Sequence, residues 1–550
     1  MLVVERRRAQ EVNSGRPAGA RVSPTSRIIS RCSEAVIPLL WAACLVWLVP
    51  LRTAFEFNSC EGYELMKGLL FSLGYRQAPE LWNDQPPLHT LLLEVLFRLW
   101  GPSAYAARLL QVVFSSLLLW CLFRLVHMQV GWFGAAAAVV LLVVCPVFIP
   151  LSVGVILELP AMAVGMASVL AWQYYSRSRT IRWAVLSGAL MGWALQIKLT
   201  AGLWVVPLVV DWAAGCWSKH RGDPSGTATG AGGGADPNPV EPGKGAGWCE
   251  ASGSAALRAH CCAGLGWLVA CGLAFGMVAT LCTERFDVFV QSHFSAGTLA
   301  AGSAAAFTPR SLLEWPELVV ASGAGLALLG SGAGRRLALS AVALCAVLLL
   351  VHLAHRPFWP YYMLHFAIAL AWLGGLGLGE CVRGLRGSGS NHSLVNWLAI
   401  GARCLALSVS ASLLMLHGPH RVIAVLQQVR SARAIASNPA VTFMRQYRDR
   451  THWVFTDRVI YAFHISAPVP PELAVVPGKR VWSGQITSAD ILSALARYRP
   501  EQIALFGPLG GEPELLLEPQ LLAFIQSNYF RLPDAPTPGL YLLRSAWGQP

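Results

Sequence analysis

The sequence predicts a polytopic α-helical membrane protein of about eleven transmembrane helices, followed by a small α/β domain. Three observations predict it. Of the 550 residues, 55% are hydrophobic and 13% are charged, with a mean hydropathy of +0.51. A soluble protein carries about 25% charged residues, so a purely soluble enzyme and a disordered chain are both excluded. Apolar runs near spanning length recur at 35–51, 104–127, 132–151, 159–176, 183–197, 200–217, 261–282, 317–331, 337–353, 359–379 and 394–416. From about residue 430 the composition changes, and short strand-like runs alternate with helical stretches.

Taken in order, residues 1–34 form a basic tail with Arg6, Arg7, Arg8, Arg16, Arg21, Arg27 and Arg31. The first apolar run follows with no small-residue cleavage site, so it reads as an uncleaved signal anchor with a cytoplasmic amino end. Leu88–Trp100 is too short to span and contains Glu94 and Arg98; it reads as a juxtamembrane helix on the outer surface. With that segment excluded, Arg177, Arg179 and Arg182, then Lys219, His220 and Arg221, then Arg335 and Arg336, then Arg383 and Arg386 all fall on the side of the basic tail. This is the arrangement that the positive-inside rule requires. The net charge of +13 therefore reads as topology and not as nucleic-acid binding. The expected location is the cell (inner) membrane, with the carboxyl end outside.

Residues 218–257 are rich in Gly, Ala and Pro and read as a flexible cytoplasmic linker. No GKS or GKT follows these glycines, so they form no phosphate-binding loop. GLGLGE at Gly375–Glu380 lies in an apolar run and reads as close helix packing. The 14 cysteines include no CxxC pair, and none follows Cys404, so no disulfide framework or zinc site is expected. The outer loop 284–315, rich in small residues, reads as a mobile gate. In the terminal domain, 430–550, WVFTD, ELAVV, QIALF and GLYLL read as strands. Thr487 and Asp490 offer a capping box to a helix reaching Tyr498.

Chemistry concentrates in three outer places. Phe55–His89 carries Glu56, Glu61, Glu64, Asp84 and His89 among aromatics, with Pro86–Pro87 as a helix start. Glu158 stands between two apolar runs, where a carboxylate is expensive and marks a functional hypothesis. His352–Phe366 carries His355, Arg356, Tyr361 and Tyr362, and Lys198 emerges on the same side. A carboxylate can accept a hydroxyl proton, and cations can stabilise a departing phosphate.

The ordered set CEGYELMKG, WNDQPPLH, FRLWG and AARLL resembles the GT-C glycosyltransferases. More narrowly it is similar to the protein-mannosyltransferase and aminoarabinose-transferase type, including the RgtA/B/C/D-like branch. The resemblance covers roughly residues 35–380 and implies a GT-C-like membrane domain over 35–417. It implies inverting transfer of a sugar from a polyprenyl-phosphate donor to a hydroxyl of a lipid, glycan or protein acceptor on the outer face. Glu61 is then the candidate base, and Glu158 the second catalytic residue, an acid that positions acceptor or sugar. Cys60, Tyr63, Asp84, Gln85, His89, Lys198, His355, Arg356, Tyr361 and Tyr362 are the candidate substrate contacts. Two positions depart from the family pattern: Cys60 stands where an Asp is usual, and Gln85 where a Lys or His is common. A neutral thiol is a poor base, so either Glu61 takes that role, or the protein is impaired or uses a different acceptor. No cofactor is implied, and the sequence leaves a divalent metal open. The partners expected are the lipid-linked donor, the acceptor and membrane lipids, and no nucleic acid. The competing readings are a lipid or solute transporter (a flippase among them) and a non-catalytic GT-C-like subunit.

Overall fold

A computed structural model describes residues 24–77, 80–220, 246–282, 286–301, 306–327, 335–386, 394–507, 518–532, 535–536 and 539–548. Helix α1 spans Pro24–Leu48, α2 Glu61–Ser72, α3 Leu88–Trp100, α4 Ala104–Val130, α5 Trp132–Val143 and α6 Phe148–Val153. Then come α7 (Glu158–Ser178), α8 (Ile181–Ile197), α9 (Val205–His220), α10 (Ala246–Ala279), α11 (Phe286–Phe294) and α12 (Ala296–Ala301). The bundle closes with α13 (Pro316–Leu326), α14 (Arg335–Ala354), α15 (Met363–Arg386) and α16 (Leu394–Arg430).

Each of the eleven apolar runs falls largely on helix within the described residues. Among the described residues, five stretches are long and apolar enough to cross a membrane: Ala104–Val130, Leu199–Trp217, Leu257–Ala279, Pro360–Arg386 and Leu394–Arg430. Ala35–Leu48, Trp132–Val143, Ile181–Ile197 and Ala338–Ala354 are shorter apolar helices. The run 132–151 is divided between α5 and α6, because Pro146 follows α5 and removes a backbone donor. The basic tail lies outside the described residues up to 23, as does most of the linker, 221–245. The linker's last dozen residues are not linker. They are already helical from Ala246, where an Ala-rich stretch runs into the apolar segment.

The GLGLGE stretch packs as its composition predicts. A Cβ at Gly377 would stand 2.3 Å from the backbone nitrogen of Gly325 on α13. At Gly375 it would stand 2.5 Å from Ala138 on α5. α15 thus lies backbone to backbone between two neighbours, as small residues allow in apolar bundles. The ends of the bundle are distinct. Arg177 at the end of α7 and Arg383 on α15 reach the carbonyls of Met128 and Gln129 at the end of α4. The opposite end carries the start of α7, the end of α8 and the start of α15.

The terminal domain begins with α17 (Pro439–Gln446), capped by Asn438, whose side chain accepts from Ala440 and Val441. It holds β1 (Val454–Thr456), α18 (Ile460–His464), α19 (Gly478–Trp482), α20 (Ser488–Tyr498) and β2 (Gln502–Ala504). α21 (Pro519–Asn528), β3 (Tyr529–Arg531), β4 (Leu540–Leu543) and α22 (Arg544–Trp547) follow. The strand order is β1-β2-β4-β3, parallel between β1 and β2 and antiparallel elsewhere. The Thr487–Asp490 capping box is present. ELAVV is not a strand: Pro470 and Pro471 turn it into a short 3₁₀ segment over Pro471–Leu473. β3 takes its place in the sheet. The terminal domain docks on α2, where a Cβ at Gly62 would meet the nitrogen of Ile460 at 2.8 Å.

Within the loop expected as a mobile gate, α11 and α12 are helical and are bonded to the terminal domain. Gln485 donates to the carbonyl of Val288 at 3.3 Å and to Ser292 at 3.0 Å. Gly297 sits under the carbonyl of Trp482, 2.0 Å from where a Cβ would be.

Candidate active site

At the end of the bundle opposite the arginines, a chamber of about 460 Å³ opens between α2, the start of α7, Lys198 and the terminal domain. Local sequence places its walls. α2 starts after Cys60 with Glu61 and Glu64 in its first turn, and α7 starts with Glu158; acids suit helix amino ends. α3 starts directly after Pro87, and ahead of it Lys67 donates to Asn83, Asn83 to Gln77 and Gln85 to Asp84.

The chamber is lined by paired charges. Glu158 Oε1 accepts from Lys198 Nζ. Lys198 also lies 5.0 and 5.2 Å from the ring centres of Tyr361 and Tyr362, a cation–π arrangement. Glu64 binds Lys67 at 2.8 Å, and His89 Nδ1 lies 3.4 Å from its other oxygen. Burial raises the Glu64 carboxyl, but Lys67 and His89 outweigh it and hold it at about 2. Asp84 Oδ2 meets Lys479 of the terminal domain and, at 3.1 Å, His293 of α11. Burial again opposes ionisation, and Lys479 with His293 holds Asp84 well below the usual carboxylate range.

A second cavity of about 480 Å³ adjoins the first at Gln85 and Lys198. Its walls are mainly apolar and include Leu203, Phe289, Phe294 and Val351. The two together offer a charged chamber beside an apolar groove, with one lysine at the junction.

Of the residues expected from sequence, Cys60, Tyr63, Asp84, Gln85, Glu158, Lys198 and Tyr361 line the chamber, while His355 and Tyr362 line the groove. Three do not fit. Glu61 is fully buried and lines neither cavity. Its oxygens accept from Arg108 at 2.7 and 3.2 Å and from the backbone of Phe57 at 2.8 Å. A carboxylate so held ties Arg108 to the loop ahead of α2. His89 lies behind Glu64 against Gln111 and touches neither cavity. Arg356 is exposed and lines neither. Cys60 lines the chamber, but burial, helped by the charge of Glu64, pushes its thiol up.

Sequence reading missed Lys479, His293 and Asp457. Lys479 and Asp457 lie in a domain with no motif tying it to the bundle, and His293 in a loop read as mobile. Arg108 was visible in AARLL but unpaired until the fold brought it to Glu61. Among the described residues no group of three or more His, Cys, Asp or Glu is placed to hold a metal ion.

Residues 84–222, about a quarter of the chain, match the family model of dolichyl-phosphate-mannose-protein mannosyltransferases. The whole fold is similar to ArnT from Cupriavidus metallidurans bound to undecaprenyl phosphate. The TM-score is 0.58 at 14% identity, covering 96% of this chain and 100% of that one. This is the GT-C fold. Apo ArnT from the same organism gives a TM-score of 0.56 at 16% identity, covering 95% of this chain and 100% of that one. The archaeal oligosaccharyltransferase AglB from Archaeoglobus fulgidus, in complex with an inhibitory peptide and a dolichol-phosphate, gives 0.50 at 11% identity. It covers 95% of this chain and 75% of that one. No curated protein sequence matches significantly. In this GT-C chain the segment matched by the family model carries Asp84, Gln85, Glu158 and Lys198, which form one wall of the chamber. Cys60, Tyr361 and Lys479 complete it from outside that segment.

Proposed function

We propose that this multi-pass membrane protein is a glycosyltransferase that takes a sugar from a polyprenyl-phosphate donor and passes it to an acceptor hydroxyl at the outer face, with inversion. The observation that carries this reading is the junction at Lys198, where a chamber of charged groups adjoins an apolar groove. A sugar phosphate on a prenyl tail needs that pairing, because the tail seeks apolar surface and the diester seeks cations. The similar ArnT and AglB structures hold undecaprenyl phosphate and a dolichol-phosphate.

In this reading the acceptor oxygen forms a bond to the anomeric carbon from the face opposite the phosphate. The bond from that carbon to the phosphate oxygen breaks, and its electron pair leaves with polyprenyl phosphate. A chamber carboxylate receives the hydroxyl proton. Lys198, between Tyr361 and Tyr362 and oriented by Glu158, stabilises the charge that develops on the leaving phosphate. Glu61 serves by fixing Arg108 and the loop ahead of Cys60. The carboxyl end and terminal domain face outward, and the basic end of the bundle faces the cytoplasm.

Purified protein in detergent is incubated with labelled polyprenyl-phosphate mannose, glucose, galactose and arabinose, with extracted membrane lipids and glycans as acceptors. Free polyprenyl phosphate and a glycosylated product are expected from at least one donor. Release from none of them overturns the reading.

A further inference from the structure

The acids around the chamber divide by what holds them. Glu158, Glu64, Asp84 and Glu56 each bond a cationic side chain, respectively Lys198, Lys67, Lys479 and Arg458. Such a partner occupies the carboxylate and holds Glu64 and Asp84 low; at Glu56 burial outweighs Arg458 and the carboxyl is raised, but Arg458 still occupies it. Asp457 differs. It lines the chamber directly after β1, and its Oδ1 accepts the backbone N–H of Phe506 at 2.8 Å, just beyond β2. Among the described residues no salt bridge engages it. β1 and β2 are parallel neighbours. Asp457, Arg458, Phe506 and Gly507 therefore bring the carboxyl ends of two parallel strands to the chamber wall. Ligands of α/β sheets bind at those ends.

Resting on the glycosyltransferase reading above, we propose that Asp457 is the catalytic base for the acceptor hydroxyl, and that the ends of β1 and β2 form the acceptor's subsite. The hydroxyl proton passes to the Asp457 carboxylate as the acceptor oxygen bonds to the anomeric carbon and the phosphate departs with the electron pair of the broken bond. The terminal domain thus supplies to this chain what Cys60 does not.

The surroundings agree. Burial pushes the Asp457 carboxyl up to about 6 against three backbone N–H groups and the charge of Arg458. A base titrating near working pH combines availability with driving force. The other charged and titratable groups of this wall are Arg458, which bonds Glu56, and Tyr63, whose hydroxyl donates to the carbonyl of Val476. Cys60, Glu64 and Lys479 line the same chamber.

With the donor identified by the panel assay, Asp457→Asn is expected to lower turnover by roughly 10²–10⁴-fold. Binding of undecaprenyl phosphate, followed by native mass spectrometry, and the melting temperature in detergent are expected to stay near those of the parent. The acid limb of the rate–pH profile, half-maximal near pH 6 in the parent, is expected to vanish. Adding Cys60→Asp to the Asp457→Asn protein is expected to restore turnover at least tenfold, because residue 60 lines the same chamber. A parent that turns over beside an equally active Asp457→Asn protein with an unchanged acid limb overturns this assignment alone. So does a variant that loses lipid binding together with turnover. A parent inert with every donor overturns the glycosyltransferase reading and this inference with it.

Discussion

Two regions of the molecule bury a carboxylate against a cation, and they do so in opposite ways. Below α2, Arg108 is wholly buried and donates to the carbonyls of Leu51, Ala54 and Phe55 as well as to both oxygens of Glu61. Glu61 takes its remaining bond from the backbone of Phe57. At the chamber, Glu158 accepts from Lys198 through one oxygen, while its Oε2 is buried without a hydrogen-bond partner among the described residues. Lys198 faces tyrosine rings and two cavities. A buried pair with every bond made holds structure together. A buried pair with bonds left open costs free energy until a ligand completes it.

The comparison breaks most sharply at Arg108. Arg108→Met would leave Glu61 buried and uncompensated, at a cost of about 3–5 kcal/mol. Loss of monodisperse folded protein on size-exclusion chromatography is expected, while Glu61→Gln is milder and keeps donor turnover. A well-folded, stable Arg108→Met protein would show that the pair is no brace.

Lys198→Met should weigh on the reaction more than on the fold. Monodisperse protein is expected to persist, with a lowered melting temperature because Glu158 is left buried without its cation. Turnover should fall by about 10²–10³-fold, as for loss of one charge-stabilising group. Glu158→Gln should fall in the same direction by less, since it acts through the lysine. Equal activity of both variants and parent would remove the chamber from the reaction.

The smallest effect concerns the clamp on α2 and pH. The carboxyl of Glu64 sits at about 2, below the ordinary 4.5. The stability it contributes is therefore complete above about 4.5 and is lost as pH falls toward 2. Thermal melts of the parent should be flat in this respect from pH 5 to 8 and decline in acid. Glu64→Gln should lower the melting temperature at neutral pH and shrink the gap to the parent as the medium is acidified. An acid dependence identical in both proteins would deny Glu64 this role.

The sequence made the bundle legible because desolvation acts on local composition. A long run of apolar residues needs no partner to declare itself, and glycines in a helix announce a close neighbour, as at Gly375 and Gly377. Half of the site was legible as well. Glu158 stood out because a charge among LSVGVIL and LPAMAV is costly, and Lys198 because it stood among apolar residues at the end away from the arginines. ELAVV misled because strand propensity was read without the two prolines before it.

What composition and spacing determined, then, is a membrane bundle with its basic end opposite a polar loop, since burial cost and charge placement are properties of short segments. Which acid is a brace and which is open was decided only by the tertiary structure. Arg108 lies 47 residues from Glu61 and Lys479 lies 395 from Asp84, and a carboxylate's chemistry depends on the partner that folding sets beside it.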